Sequence, residues 1–467
     1  MVRRMEDAMA RHAGRVRRGQ GLRAAVALAA LLISLVPLTL RVERAHASAR
    51  VAADDPVGEC RLEADTNCVG PGDVRALYEV DALARRGIDG HGRTIAVVVS
   101  YGSPTLRDDL RAFDRQFGLP DPPLDILTPL GPPTTTNDSW AQETTLDVEW
   151  AHALAPGARI VVLESPVDET EGVQGLPEFL RLERYAADHH LADVISQSWA
   201  ATEDTLLTPA GRRLIDQFHH FYEDATRQGI TVVGASGDTG AAGYDLSLKT
   251  VFPAPAVGYP CSDPLVLCVG GTEINIDSLD SERFVDETAW DKSGGGVSKL
   301  FAEPDDQRGL PASAQRALRG RRGVPDVAAV AAEGSPPVIY VAGAWTPIAG
   351  TSAAAPQWAA LIALADQAAG RDLGPVNGAL YRLAGSPRSR ADIYDVTHGA
   401  TVGPADNGAS LDGAGFAAAP GWDAATGLGS PRASGLIPDL VHALSRRWYV
   451  PGSTPLPLPC TNIATPA

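Results

Sequence analysis

The chain has 467 residues, 44% hydrophobic and 21% charged, which excludes a mainly disordered polypeptide and fits one large globular domain or two modest ones. Its net charge is −17, yet nine arginines against Glu6, Asp7 and Glu43 put the first 47 residues at +6, so the remainder carries −23. A body that acidic has no electrostatic footprint for nucleic acid or for anionic membranes.

The amino terminus accounts for the charge asymmetry. A basic lead over residues 3–23 precedes an apolar run over 24–40, and small residues follow in the order Ala45-His46-Ala47-Ser48-Ala49. That order predicts a secretory signal peptide over 1–47, cleaved after Ala47 or Ala49. The run is also about long enough to span a bilayer, so the alternative is an uncleaved anchor facing outward. Cys60 and Cys68, and Cys261 and Cys268, are spaced as two small disulfide loops of an exported protein, leaving Cys460 over in a Pro-rich tail.

Further along, the apolar run 94–100 (TIAVVVS) predicts a buried strand, followed by a helix over 106–117. Runs at 159–163, 194–198 and 231–235 predict further buried strands, with helical periodicity over 177–190 and 209–228. Short apolar strands separated by helices predict an α/β fold with a mostly parallel sheet covered on both faces.

Three segments carry candidate chemistry. Gly350-Thr351-Ser352 opens an apolar helix through Ala353-Ala354-Ala355-Pro356, so the Ser352 hydroxyl lies among free backbone N–H groups at a positive dipole end. A lone serine there is an ordinary helix cap, but a nucleophilic serine would need a base and an oriented third group. Histidine does not supply them: none occurs between His91 and His152, and His189-His190 and His219-His220 read as surface pairs on helices. Glu143 and Asp147, four apart in a helical segment, point from one face. Two carboxylates held together raise one pKa, as a carboxyl base at acidic pH requires, although a solvated acidic face has the same spacing. Third, Ser236-Gly237-Asp238-Thr239-Gly240 follows the strand at 231–235, where an Asx turn is the plain alternative.

In this order, E-x-x-x-D, S-G-D-x-G and G-T-S-x-x-x-P, the segments resemble the sedolisin family of serine-carboxyl peptidases over roughly residues 75–437. The resemblance implies a subtilisin-like α/β fold, with Ser352 as nucleophile, Glu143 as general base and acid, Asp147 as its orienting partner and Asp238 as oxyanion stabiliser. Gly294-Gly295-Gly296-Val297-Ser298, Val324-Pro325-Asp326-Val327 and Val269-Gly270-Gly271-Thr272 match it as well. It also implies one Ca²⁺ ion, held by the Asp395 and Asp423 side chains with the carbonyls of Val396, Ala419 and Gly421. Hard oxygen donors in tight loops suit that ion.

The expected organisation is a signal over 1–47, a short linker or pro-segment over 48–74, a peptidase domain over 75–445 and a tail over 446–467. The expected protein is a secreted, monomeric, acid-active peptidase acting on polypeptides. Two departures from the family stand out: Ala200 replaces a usual glycine, and Val99-Ser100 lacks the extra carboxylate that some relatives place behind the triad. The alternatives are a conventional subtilisin-type peptidase using a distant histidine, and a secreted calcium-binding protein that binds peptides without cleaving them.

Overall fold

The computed structural model describes residues 55–64, 66–277, 283–405 and 410–445. The signal segment and the tail with Cys460 lie outside the described residues.

The β-branched runs form the centre. Strands β1 (Thr94–Ser100), β2 (Leu124–Leu127), β3 (Arg159–Ser165), β4 (Val194–Gln197), β5 (Thr231–Ala235), β6 (Val266–Asp277), β7 (Arg283–Ala289) and β8 (Val327–Val330) make one sheet. The order is β8-β6-β5-β4-β1-β3-β2, all neighbours parallel, with β7 antiparallel on β6. The expected mostly parallel α/β sheet is present, and β3 runs two residues beyond the expected end.

Alternation along the strands sorts side chains into two layers. Ile95, Val97 and Val99 of β1, with Ile160 and Val162 of β3, join the larger core. That core is completed by helices α1 (Leu106–Phe117) and α2 (Asp138–Leu154). Ala96, Val98, Val161 and Leu163 face the opposite core, with α3 (Leu176–Asp188) and α4 (Pro209–Gln228). Helix α5 (Thr351–Ala369) lies along α2 and under the sheet, and α6 (Ala433–Ser445) packs on it. Trp358, Leu361 and Ile362 of α5 are fully buried, each such side chain contributing about 1.5–3 kcal/mol.

Both disulfides expected from the spacing are formed, Cys60–Cys68 and Cys261–Cys268. Within the stretch read as a linker or pro-segment, helix Pro56–Ala64 is present and Cys68, Val69 and Val74 are buried. Arg61 donates to Asp73 at 2.9 Å and to the Cys68 carbonyl at 2.8 Å, fixing this stretch on the body. Among the described residues, no helix is long and apolar enough to cross a membrane.

Candidate active site

Loops at the carboxyl ends of parallel strands form the usual crevice of an open α/β sheet. Here the ends of β4 and β5 meet the N-terminal turn of α5 and the outer half of α2.

Helix α2 begins where Asn137 caps it, its side chain accepting from the Ser139 and Trp140 amides at 3.0 and 3.2 Å. Trp140 donates its indole N–H to Asp168 at 2.7 Å, which ties this first turn to the loop after β3. Thr144 and Thr145 turn their hydroxyls back onto the carbonyls of Trp140 and Ala141, so neither leaves an unsatisfied group in the core. From Thr144 to Leu154 the helix is buried, so Glu143 stands at the boundary and Asp147 one turn deeper at 0% exposure. A solvated acidic face is therefore excluded for Asp147.

The structure brings the four candidate side chains together. The Ser352 hydroxyl lies beside the Glu143 carboxylate and favours its charged form. Asp147 Oδ1 accepts from the Ser198 hydroxyl at 2.5 Å, and Ser198 also reaches the Ser352 carbonyl at 3.3 Å. Glu143 Oε1 and Asp147 Oδ2 are buried without hydrogen-bond partners. Burial pushes the Glu143 carboxyl well above the usual carboxylate range, with the neighbouring Asp147 and then Asp238 adding to the rise against the Ser352 hydroxyl. Burial also raises Asp147, opposed by the Ser198 hydrogen bond. Two such groups one turn apart share a proton rather than ionise together.

Asp238 approaches from the loop after β5. Its Oδ1 accepts from the Thr351 amide at 2.8 Å and from the Thr351 hydroxyl at 2.7 Å. The Thr351 oxygen in turn accepts from the Gly237 amide at 3.0 Å. Burial raises the Asp238 carboxyl to about 6 despite these donors. The Asx-turn alternative does not describe it, because its bonds run to α5 and not to its own loop.

Two glycines make the approach feasible. Gly350, the N-cap of α5, has φ 153°, and a Cβ there would stand 3.0 Å from Asp238 Oδ2. A Cβ on Gly294 would meet the Ser236 carbonyl oxygen at 2.2 Å, while its amide donates to the Gly237 carbonyl at 2.7 Å. The Gly-rich segment 294–296 thus supports the Asp238 loop directly.

Ser352 itself occupies the second position of α5, with Gly350 as the cap, so the simple serine-cap reading is replaced by an in-helix serine whose side chain faces Glu143. Pro356 lies inside the helix, in its second turn. Among the described residues no histidine partners Ser352, Glu143 or Asp147. His152 is buried against Asp114 at 3.1 Å, at the end of α2 away from Glu143. His189, His190 and His220 are exposed, as expected, whereas His219 is half-buried against Asp263 at 2.8 Å. Thr351 and Ser198 are the contributors that the sequence reading left without a role. Thr351 lies inside the quoted motif, and Ser198 ends the buried strand expected over 194–198.

The candidate calcium residues also converge. The Gly421 amide donates to Asp395 at 2.9 Å, and the Ala419 amide donates to Asp423 at 2.9 Å. Burial raises Asp423 to about 6 and also raises Asp395, with Arg390 lowering the latter only as a lesser influence. Among the described residues no group of three or more His, Cys, Asp or Glu side chains is placed to hold a metal. The exposed Asp395 and the buried Asp423 carboxylates, beside a carbonyl-bearing loop, nevertheless form a donor set that fits a hard cation.

Comparison with known proteins agrees with this fold. The model of the subtilase family matches residues 134–378. Kumamolisin from a Bacillus species is 30% identical over 439 residues, covering 91% of this chain and 73% of that protein. Human tripeptidyl-peptidase 1 is 30% identical over 318 residues, and the chain spans about half (52%) of its length. A solved Pseudomonas sedolisin, a serine-carboxyl proteinase complexed with pseudo-iodotyrostatin, shares the fold at TM-score 0.66 and 24% identity, over 80% of this chain and 98% of that one. With its central sheet, its site at the strand ends and relatives of this extent, the chain belongs to the sedolisin family of subtilisin-like serine peptidases.

Proposed function

We propose that this protein is an exported, acid-active endo- or exopeptidase that cleaves polypeptides through Ser352, Glu143 and Asp147, with Asp238 stabilising the oxyanion. The observation that carries this is the Ser352 hydroxyl beside Glu143, with Asp147 behind it and Asp238 bonded to the neighbouring Thr351.

Ser352 Oγ attacks the scissile carbonyl carbon while its proton passes to Glu143. The carbonyl oxygen, now negative, is met by the protonated Asp238 carboxyl. Glu143 then gives its proton to the leaving amine, and the C–N bond breaks to leave an acyl-serine. Water repeats the sequence, losing its proton to Glu143 and releasing the acid product and Ser352. Asp147 holds Glu143 in place and shares its charge.

The pH dependence follows from what each group must be. The base must have lost a proton, so activity rises with pH as the Glu143–Asp147 pair loses its first one. The second proton is held much more tightly, since its loss would put two charges one helical turn apart. Asp238 must keep its proton, so activity falls as pH rises through about 6. With a denatured-protein substrate assayed from about pH 3 to about pH 8, the expected result is an acidic maximum. Equal activity at both neutral and acidic pH would overturn the carboxyl mechanism and favour a conventional base.

One Ca²⁺ held by Asp395 and Asp423, with carbonyls of Val396, Ala419 and Gly421, would neutralise these carboxylates and pin the loop to the body. A bound ion contributes about 2.7 kcal/mol at a hundredfold excess over Kd. Chelator is therefore expected to lower the Tm by about 3 °C, and Asp423→Ala to abolish that sensitivity. An unchanged Tm with chelator would remove the ion. The two disulfides support export to an oxidising compartment.

A further inference from the structure

We infer that Ser198 is a positioning residue of the peptidase reaction: its hydroxyl holds the Asp147 carboxylate in the orientation and charge state that Glu143 needs. This rests on the reading of Ser352, Glu143 and Asp147 given above and adds a fourth side chain to it.

The geometry is specific. Ser198 follows directly on β4, at the carboxyl end of a strand in the middle of the sheet, and is 8% exposed. Its hydroxyl has one proton to donate. The 2.5 Å contact with Asp147 is much shorter than the 3.3 Å contact with the Ser352 carbonyl, so Asp147 takes that proton. Among the described residues Ser198 is the sole side chain hydrogen-bonded to Asp147, whose other oxygen is buried and unpartnered. A fully buried carboxylate with a single donor depends on that donor for both its angle and its ability to carry charge.

The end of β1 offers no substitute. Ser100 spends its hydroxyl on the Val167 carbonyl at 2.9 Å and accepts from the Glu169 amide at 3.1 Å, and thus anchors the loop after β3. Val99 is apolar and buried in the core. The support for Asp147 therefore comes from β4 and not from β1.

The charged surroundings determine the direction of the effect. Glu143 faces Asp147 from the same helix. From the β5 loop, Asp238 acts on Glu143, and it is in turn influenced by Glu333 and Lys292. Ser352 from α5 and Ser198 from β4 are neutral donors. Removing Ser198 leaves only groups that disfavour a negative charge on the pair, apart from the Ser352 hydroxyl, so the pair should hold its proton to higher pH.

Four measurements test this. Ser198→Ala is expected to lower kcat about 10- to 100-fold, the loss of one hydrogen bond to a charged group, with KM within about twofold. Its acidic limb should move up by about one pH unit. Ser198→Cys, which fills the space with a poor donor, should behave likewise and carries the test if the alanine variant does not fold. Ser198→Thr keeps the hydroxyl and should restore the limb. In an Asp147→Asn background, Ser198→Ala should cost less than about threefold more, because the partner charge is already gone.

An unshifted acidic limb in folded Ala and Cys variants overturns the inference. So does a loss confined to KM, which would make Ser198 a substrate contact, or a full additive loss in the Asp147→Asn background. Ser352→Ala serves as the control. If it retains turnover, the peptidase reading itself fails; if it is inactive while Ser198→Ala keeps the wild-type profile, only the role of Ser198 fails.

Discussion

Ser352→Ala and Glu143→Gln are each expected to lower kcat by about 10⁴-fold or more while leaving the fold intact. The size follows from cooperation. Without its hydroxyl the active site has no atom to form the acyl intermediate, and without an ionisable group at residue 143 the hydroxyl keeps its proton. Groups acting as a unit lose catalysis together, so the double variant should be little worse than either single one. The fold should survive because both side chains lie at the edge of the crevice: neither Glu143 nor Ser352 is fully buried, while the core of α2 starts at Thr144. Steady-state kinetics with circular dichroism on the same samples checks both halves. A folded Glu143→Gln enzyme with near wild-type turnover would refute the carboxyl base. Asp147→Asn should also be severely impaired, although it keeps the shape and can still accept from Ser198.

Asp238 offers the second large effect, and a cleaner one, because it changes the shape of the pH profile. Asp238→Ala removes an oxyanion donor and should cost about 10²–10³ in kcat, or roughly 3–4 kcal/mol. Asp238→Asn is more informative. An amide keeps a donor of nearly the same shape and does not ionise. The wild-type carboxyl, raised to about 6 by burial, is a donor below that pH and a repelling anion above it. The Asn variant should therefore lose only part of its peak activity and carry its alkaline limb to higher pH. An amide must still satisfy Thr351, whose amide and hydroxyl both donate to Oδ1, so its oxygen should take that place and its NH₂ should face the substrate. An alkaline limb that stays in place would remove Asp238 from the oxyanion role.

Much of this arrangement was legible in the chain. Apolar runs such as TIAVVVS and TVVGA are buried on both sides, and that requirement shows directly as continuous Val and Ile, so the strands at Thr94–Ser100 and Thr231–Ala235 match their expected bounds. Glu143 and Asp147 share a face because the helical period places residues four apart one above the other. The short cysteine spacings sufficed for both disulfides. These are local properties, set by neighbours in sequence.

Tertiary structure alone decided what these groups touch. No local pattern shows that Asp147 is fully buried or that its donor is Ser198, 51 residues away just after β4. Thr351 reads as a spacer in its motif, yet it ties Asp238 to α5 across 113 residues of chain. The upward shifts of Glu143, Asp147 and Asp238 arise first from desolvation, which depends on the packing of α2, α5 and the β5 loop around them. Residue types in order determine which chemistry is available. Burial and long-range contacts determine the protonation state and geometry in which it operates, because both depend on distances that sequence spacing does not encode.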